Sequence, residues 1–65
     1  MKQDFDRIGR GMSMEQVKAV LGPPDEVHPT GFGDEKMTTW TYHSEEAMLF
    51  VWFDGDDKVR LKSRQ

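Results

Sequence analysis

The chain contains no cysteine, no long apolar run and no excess of basic residues. Without cysteine it can form no disulfide, thiolate metal site or thiol nucleophile. No apolar run approaches the ~20 residues of a membrane-spanning helix, so we expect no membrane contact by this chain alone. The formal charge of −3 differs from the basic footprint of nucleic-acid-binding domains, and we expect no nucleic-acid partner.

The N-terminal residues MKQDFDRIGRGM lack the apolar stretch of a signal peptide. We therefore expect a cytoplasmic protein if the chain is complete, and a periplasmic or outer-membrane one if it is a fragment of an exported lipoprotein. A chain of 65 residues makes a single domain, residues 1–65. Domains of this size bury only roughly 60% of their unfolded surface. Those without disulfides usually need a metal or a partner subunit.

The clearest local signal is a helix with recognisable residues at both ends. Ser13 is a good N-cap, and Gln16 completes a capping box. Gly22 followed by two prolines predicts the helix end, so the helix should run about Met14–Leu21. A shorter helical turn is predicted at residues 3–8.

Three strand-like runs follow a loop at residues 23–36: Lys36–His43, Ala47–Phe53 and Lys58–Lys62. Their short connections favour antiparallel hairpins. In the third run, alternation predicts that Val59 and Leu61 face the core. The predicted fold class is α+β, with two short N-terminal helices packed on a three-stranded antiparallel β-meander.

The second run is apolar at every position, whereas one helical layer covers only one face of a sheet. Something else should therefore cover its second face. Contiguous exposed apolar surface indicates an interaction site, and Met, Phe and Trp are typical of interface cores. The predicted protein-interaction surface comprises Met37, Met48, Phe50 and Trp52.

No complete set of metal ligands is evident. His28 and His43 with a carboxylate from Asp25 or Glu26 would make a minimal site, but nothing in their spacing requires the three or four convergent ligands of zinc. The acidic run at residues 54–57 resembles the start of a calcium loop, but its twelfth position is Gln65 rather than an acid. A polar hairpin loop with positive φ at Gly55 is the preferred interpretation.

Catalytic patterns are also missing. The serines have no G-x-S-x-G setting, and the run GFGDE lacks the lysine and helix of a phosphate-binding loop. We therefore predict no catalytic residue, no cofactor and no enzyme activity. The alternating basic residues Lys58, Arg60, Lys62 and Arg64 could meet an acidic partner or anionic lipid, but a charged, protected edge strand is the preferred interpretation.

Residues 8–24, IGRGMSMEQVKAVLGPP, resemble the SmpA/OmlA family, which contains the small lipoprotein subunit of the outer-membrane β-barrel assembly machinery. The matching positions are Ile8, Gly11, Met12, Ser13, Gln16, Val17, Leu21, Gly22 and Pro24. A W-x-Y strand is matched by Trp40 and Tyr42, and the end of an apolar strand by Phe53 and Asp54. The family's lipobox cysteine is not matched.

The resemblance implies two helices on a three-stranded antiparallel sheet, related to the repeats of the β-lactamase inhibitor protein. It also implies a scaffolding or protein-binding role without catalysis, in which Gly11, Ser13, Gln16, Gly22 and Pro24 form a structural motif. The leading hypothesis is thus a non-enzymatic protein-interaction domain related to envelope assembly, with a protein partner of unknown identity. The alternative is a small structural homodimer of cytoplasmic or phage origin, with Pro29–Gly33 as the hinge of any exchange. A small hydrolase or ligand carrier comes last.

Overall fold

A computed structural model describes residues 2–65, with side chains from residue 4 onwards. A 3₁₀ helix at Lys2–Arg7 precedes helix α1 at Met14–Leu21, and a 3₁₀ turn lies at Gly33–Glu35. The strands are β1 at Glu26–Thr30, β2 at Met37–His43, β3 at Met48–Phe53 and β4 at Val59–Arg64. They form one antiparallel sheet in the order β1-β2-β3-β4.

The α+β class is confirmed, but the prediction of two helices and three strands was wrong in its count. The first helical element is a 3₁₀ helix rather than an α-helix. Strand β1 lies within the segment predicted as loop, and all five of its residues are exposed. Pro29 belongs to this strand, so the hinge predicted at Pro29–Gly33 begins inside the sheet. Proline is tolerated there because β1 is an edge strand, where the missing N–H can face solvent.

Helix α1 begins and ends where the sequence predicts. The Gln16 N–H donates to Ser13 Oγ at 3.1 Å, and the Ser13 N–H donates to Gln16 Oε1 at 2.8 Å. At the other end, the Gly22 N–H donates to the Lys18 carbonyl at 2.8 Å. Gly22 has φ 84° and ψ −176°, a region essentially restricted to glycine. Local chemistry therefore fixes both ends of α1.

The core lies between the helical layer and one face of the sheet. Phe5, Ile8 and Val17 contribute the helical side. The sheet contributes Trp40, Tyr42, Leu49, Val51, Phe53 and Val59. The Trp40 and Phe53 rings meet edge to face with centroids 4.8 Å apart, a favoured aromatic geometry. The Tyr42 hydroxyl donates to the Gly22 carbonyl at 2.9 Å and so ties the end of α1 to β2.

Strand β4 contains a bulge that changes which side chains face the core. Phe53 pairs with Val59 and Trp52 pairs with Leu61, so Arg60 is an extra residue on β4. The prediction that Leu61 faces the core was wrong, because the extra residue reverses the alternation after Val59. Leu61 is 56% exposed on the opposite face. Lys62 turns inwards instead, with its Nζ donating to the Phe5 carbonyl at 2.9 Å.

The β3–β4 connection is a polar hairpin loop held by Asp54. Its Oδ1 accepts the N–H groups of Asp56 and Lys58, at 2.9 and 3.1 Å. The positive φ predicted for Gly55 occurs instead at Asp57, with φ 62°. Aspartate tolerates this conformation better than most residues, so the loop does not require glycine for its turn.

Candidate protein-binding surface

The face of the sheet opposite the core, here called the open face, carries a continuous row of apolar side chains. The row, which we call the apolar strip, comprises Met48, Phe50 and Trp52 of β3 and Leu61 of β4. Met48 is 38% exposed and Leu61 is 56% exposed, while Phe50 and Trp52 are half-buried. The helices thus pack on the other face of the sheet, and the role of the open face in protein binding stays a prediction.

The two aromatic rings of the apolar strip support each other. Phe50 and Trp52 stack with centroids 5.7 Å apart and planes 28° from parallel. Across the sheet, Thr41 lies opposite Phe50, and Thr39 and Leu61 flank Trp52 on its two sides. Side chains fixed on a sheet lose little conformational freedom on binding, which favours association.

Met37 and Arg60 extend the open face at one end. Met37 lies two residues before Thr39, which pairs with Trp52, and its side chain is half-buried. The Arg60 Nη1 lies 3.9 Å from the Met37 Sδ. The predicted residue Met37 is therefore a diagonal neighbour of Trp52 at the margin of the strip, next to a cation.

A polar cluster of Glu26, His28 and His43 occupies the other margin. The His28 Nε2 lies 2.8 Å from Glu26 Oε1, and the His43 Nε2 lies 2.7 Å from Glu26 Oε2. Because an ionised carboxylate only accepts hydrogen bonds, both rings donate. The bond from His28 and, to a smaller extent, the bond from His43 hold the pKa of Glu26 below its ordinary value. The cluster ties edge strand β1 to β2.

The same three side chains include both histidines considered above as metal ligands. Each ring nitrogen facing the carboxylate is used in a hydrogen bond to it. Within residues 4–65, no group of three or more His, Cys, Asp or Glu side chains has an arrangement that could hold a metal ion. The cluster therefore forms a hydrogen-bonded rim of the open face.

Leu61 is the member of the apolar strip that sequence reasoning missed. The pattern KVRLK alternates regularly and places Leu61 beside Val59 on the core side. Only the pairing of β4 with β3 shows that Arg60 is an extra residue. The sequence of β4 has no glycine or other residue that marks a bulge. The position of Leu61 on the open face therefore became evident only from the structure.

Comparison with known protein families shows the family to which the chain belongs. The model of the outer membrane protein assembly factor BamE domain matches residues 1–63. The chain belongs to the BamE family. The suspected resemblance to the SmpA/OmlA family is thereby confirmed. Searches of curated proteins and of solved structures give no match, so the likeness to the β-lactamase inhibitor protein stays a prediction.

The residues that carry the BamE-family resemblance have structural tasks in this chain. Ser13 and Gln16 cap α1, and Gly22 ends it. Gly11 has φ 90° and its N–H donates to the Val59 carbonyl at 2.8 Å, which joins the start of β4 to the chain before α1. Pro24 lies in the connection between α1 and β1, and its side chain is half-buried. The motif therefore shapes the fold and lies apart from the apolar strip.

One further observation concerns membranes. No helix among the described residues has the length and apolar character that crossing a bilayer requires.

Proposed function

We propose that this chain is a non-enzymatic protein-binding domain that serves outer-membrane protein assembly and contacts its partner through the open face. The family match supports the assembly role. The observation that carries the proposed contact is the apolar strip on the face opposite the core, with Met48 and Leu61 exposed by 38% and 56%. Water-exposed apolar surface of this kind is a common mark of a protein-interaction site.

The composition of the open face suits a protein rather than a small molecule. A stacked Phe50–Trp52 pair lies at its centre, and polar groups lie at its margins. Aromatic centres with polar rims are the usual anatomy of protein interfaces, and Trp is enriched among the residues that dominate binding energy. A sheet face presents a broad surface, whereas small-molecule sites are concave.

Leu61→Glu tests the function, and Val27→Glu is its matched control. Both residues lie on edge strands and are exposed to a similar extent, 56% and 52%. Val27 pairs with the core residue Trp40 and so lies on the opposite face. Exposed substitutions usually change stability by about 0.5 kcal/mol or less, so both variants should melt close to the wild type.

The readout is the amount of folded outer-membrane β-barrel protein in cells that lack their own copy of this chain. The wild type and Val27→Glu should restore it, whereas Leu61→Glu should not, because a buried unpaired carboxylate at an apolar interface is costly. Equal restoration by both variants would contradict the proposed surface. Unchanged β-barrel levels after deletion of the chain would contradict the assembly role itself.

A second candidate is self-association through the same strip, as the sequence predicts. It is favoured by the exposed apolar strip on a small domain with no disulfide, and two-fold dimers are the commonest soluble assemblies. Light scattering coupled to size exclusion distinguishes the candidates. A mass of 7.6 kDa at micromolar concentration leaves the strip free for a foreign partner. A mass of twice that value, lost in Leu61→Glu, supports the homodimer.

A further inference from the structure

A cavity of about 350 Å³ lies beside the C-terminal end of α1, where the helix meets the ends of β2 and β3. Leu21, Pro23 and Leu49 give it apolar walls, and Asp25, Tyr42 and Ser44 give it polar ones. Tyr42 and Leu49 are buried core residues on the helix side of the sheet. His43 also lines the cavity and belongs to the rim of the open face. The cavity therefore adjoins that rim, but none of the four side chains of the apolar strip lines it.

The electrostatic character of this cavity is negative. The carbonyl groups at the end of α1 carry the negative end of the helix dipole, and Asp25 adds a full charge. No lysine or arginine is among the residues that line the cavity, and the one lining histidine, His43, has its Nε2 2.7 Å from Glu26 Oε2. A cation is therefore the favoured occupant.

The uncharged polar groups of the cavity already have partners. The Tyr42 hydroxyl donates to the Gly22 carbonyl at 2.9 Å, and Ser44 Oγ donates to the Ala47 carbonyl at 2.6 Å. Asp25 Oδ2 accepts the His43 N–H at 2.7 Å. No hydrogen bond from the described residues reaches Asp25 Oδ1, so this oxygen can accept one from a ligand.

We propose that this cavity binds a basic side chain of a protein partner. The cationic head would donate to Asp25, and the aliphatic stem would lie on Leu21, Pro23 and Leu49. Arginine and lysine have this division between an apolar stem and a charged head, and charge-assisted hydrogen bonds to carboxylates are the strong ones. The site is a specificity contact that accompanies the larger apolar surface.

The test uses N-acetyl-arginine amide as the probe and N-acetyl-citrulline amide as its uncharged counterpart of nearly equal shape. Amide NMR signals are followed as each probe is added to the full chain. The arginine probe should give saturable shifts at Gly22, Asp25, His43 and Ser44, since Pro23 and Pro24 have no amide N–H. The citrulline probe should bind about tenfold more weakly, a factor equivalent to about 1.4 kcal/mol.

Two variants locate the charge that is responsible. Asp25→Asn keeps an oxygen acceptor for the His43 N–H and should weaken arginine binding about tenfold. Glu15→Gln removes the same charge from an exposed position at the opposite end of α1 and should leave binding unchanged.

Three outcomes would overturn the proposal: no saturable shift with the arginine probe, equal affinity for citrulline, or full binding by Asp25→Asn. Leu61→Glu should bind the arginine probe like the wild type. Failure here therefore leaves the open-face function standing, and failure of the open face leaves this site standing.

Discussion

Replacing Gly22 with alanine isolates one backbone conformation that the fold requires. Gly22 has φ 84° and ψ −176°, and apart from the adjoining residues no heavy atom lies within 4 Å of the position that a Cβ would take there. The substitution therefore introduces no collision, and its effect comes from the backbone alone. Holding a residue other than glycine in such a region costs about 1–3 kcal/mol. In a domain of this size each 1 kcal/mol lowers Tm by about 4–8 °C.

The assay is thermal unfolding followed by circular dichroism, with two controls. Gly9→Ala also places a Cβ in open space but at a position without positive φ, so it should melt at or slightly above the wild-type temperature. D-alanine at position 22, introduced by chemical synthesis, can adopt the observed angles, because their mirror image lies in the allowed β region of an L-residue. It should therefore restore stability. If Gly22→Ala and Gly9→Ala melt together, α1 does not depend on this conformation, and the reasoning is refuted.

Three further predictions concern the core and the cap. Ser13→Ala removes the acceptor for the Gln16 N–H and should lower the free energy of unfolding by about 1 kcal/mol in urea titrations; an unchanged midpoint would show that the cap contributes nothing. Phe53→Ala empties a fully buried position and should cost about 3–5 kcal/mol, so a variant as stable as the wild type would contradict the described core. Burial, and then the charge of Asp25, raises the pKa of Tyr42 to about 12. The phenol of an unfolded chain has a pKa of about 10. The stability that neutral Tyr42 contributes should therefore be complete below that pH and lost as the pH rises towards 12. The only tyrosine of the chain makes phenolate absorbance a single-site measurement, and a midpoint near ~10 in the folded state would contradict its burial.

The parts of the fold that could be predicted from the sequence are those with local causes. The ends of α1 follow from Ser13, Gln16 and Gly22, whose side chains or backbone act within one turn of the helix. Strand β1 has no such cause, because its five residues are exposed and include a proline. Its pairing depends on β2 and on the Glu26–His43 contact. That information is spread over residues far apart in the chain.

The candidate surface shows the same division. The uninterrupted apolar character of residues 47–53 predicted that one face of this strand would lie uncovered. The choice of the face with Met48, Phe50 and Trp52 rested instead on the typical composition of interfaces. Leu61 could not be predicted, since its face depends on the extra residue Arg60 in the pairing of β4 with β3. Without Leu61, the apolar strip would end at the inner strand β3 instead of reaching the edge strand β4.

The central claim is that the open face contacts another protein during outer-membrane protein assembly. Its most direct test is photo-cross-linking in living cells with a photoreactive residue at position 61, position 48 or, as the control on the opposite face, position 27. Positions 61 and 48 should cross-link to the same protein, identified by mass spectrometry as a component of outer-membrane protein assembly, and position 27 should not. Equal cross-linking from all three positions, or cross-linking from position 27 alone, would contradict the account.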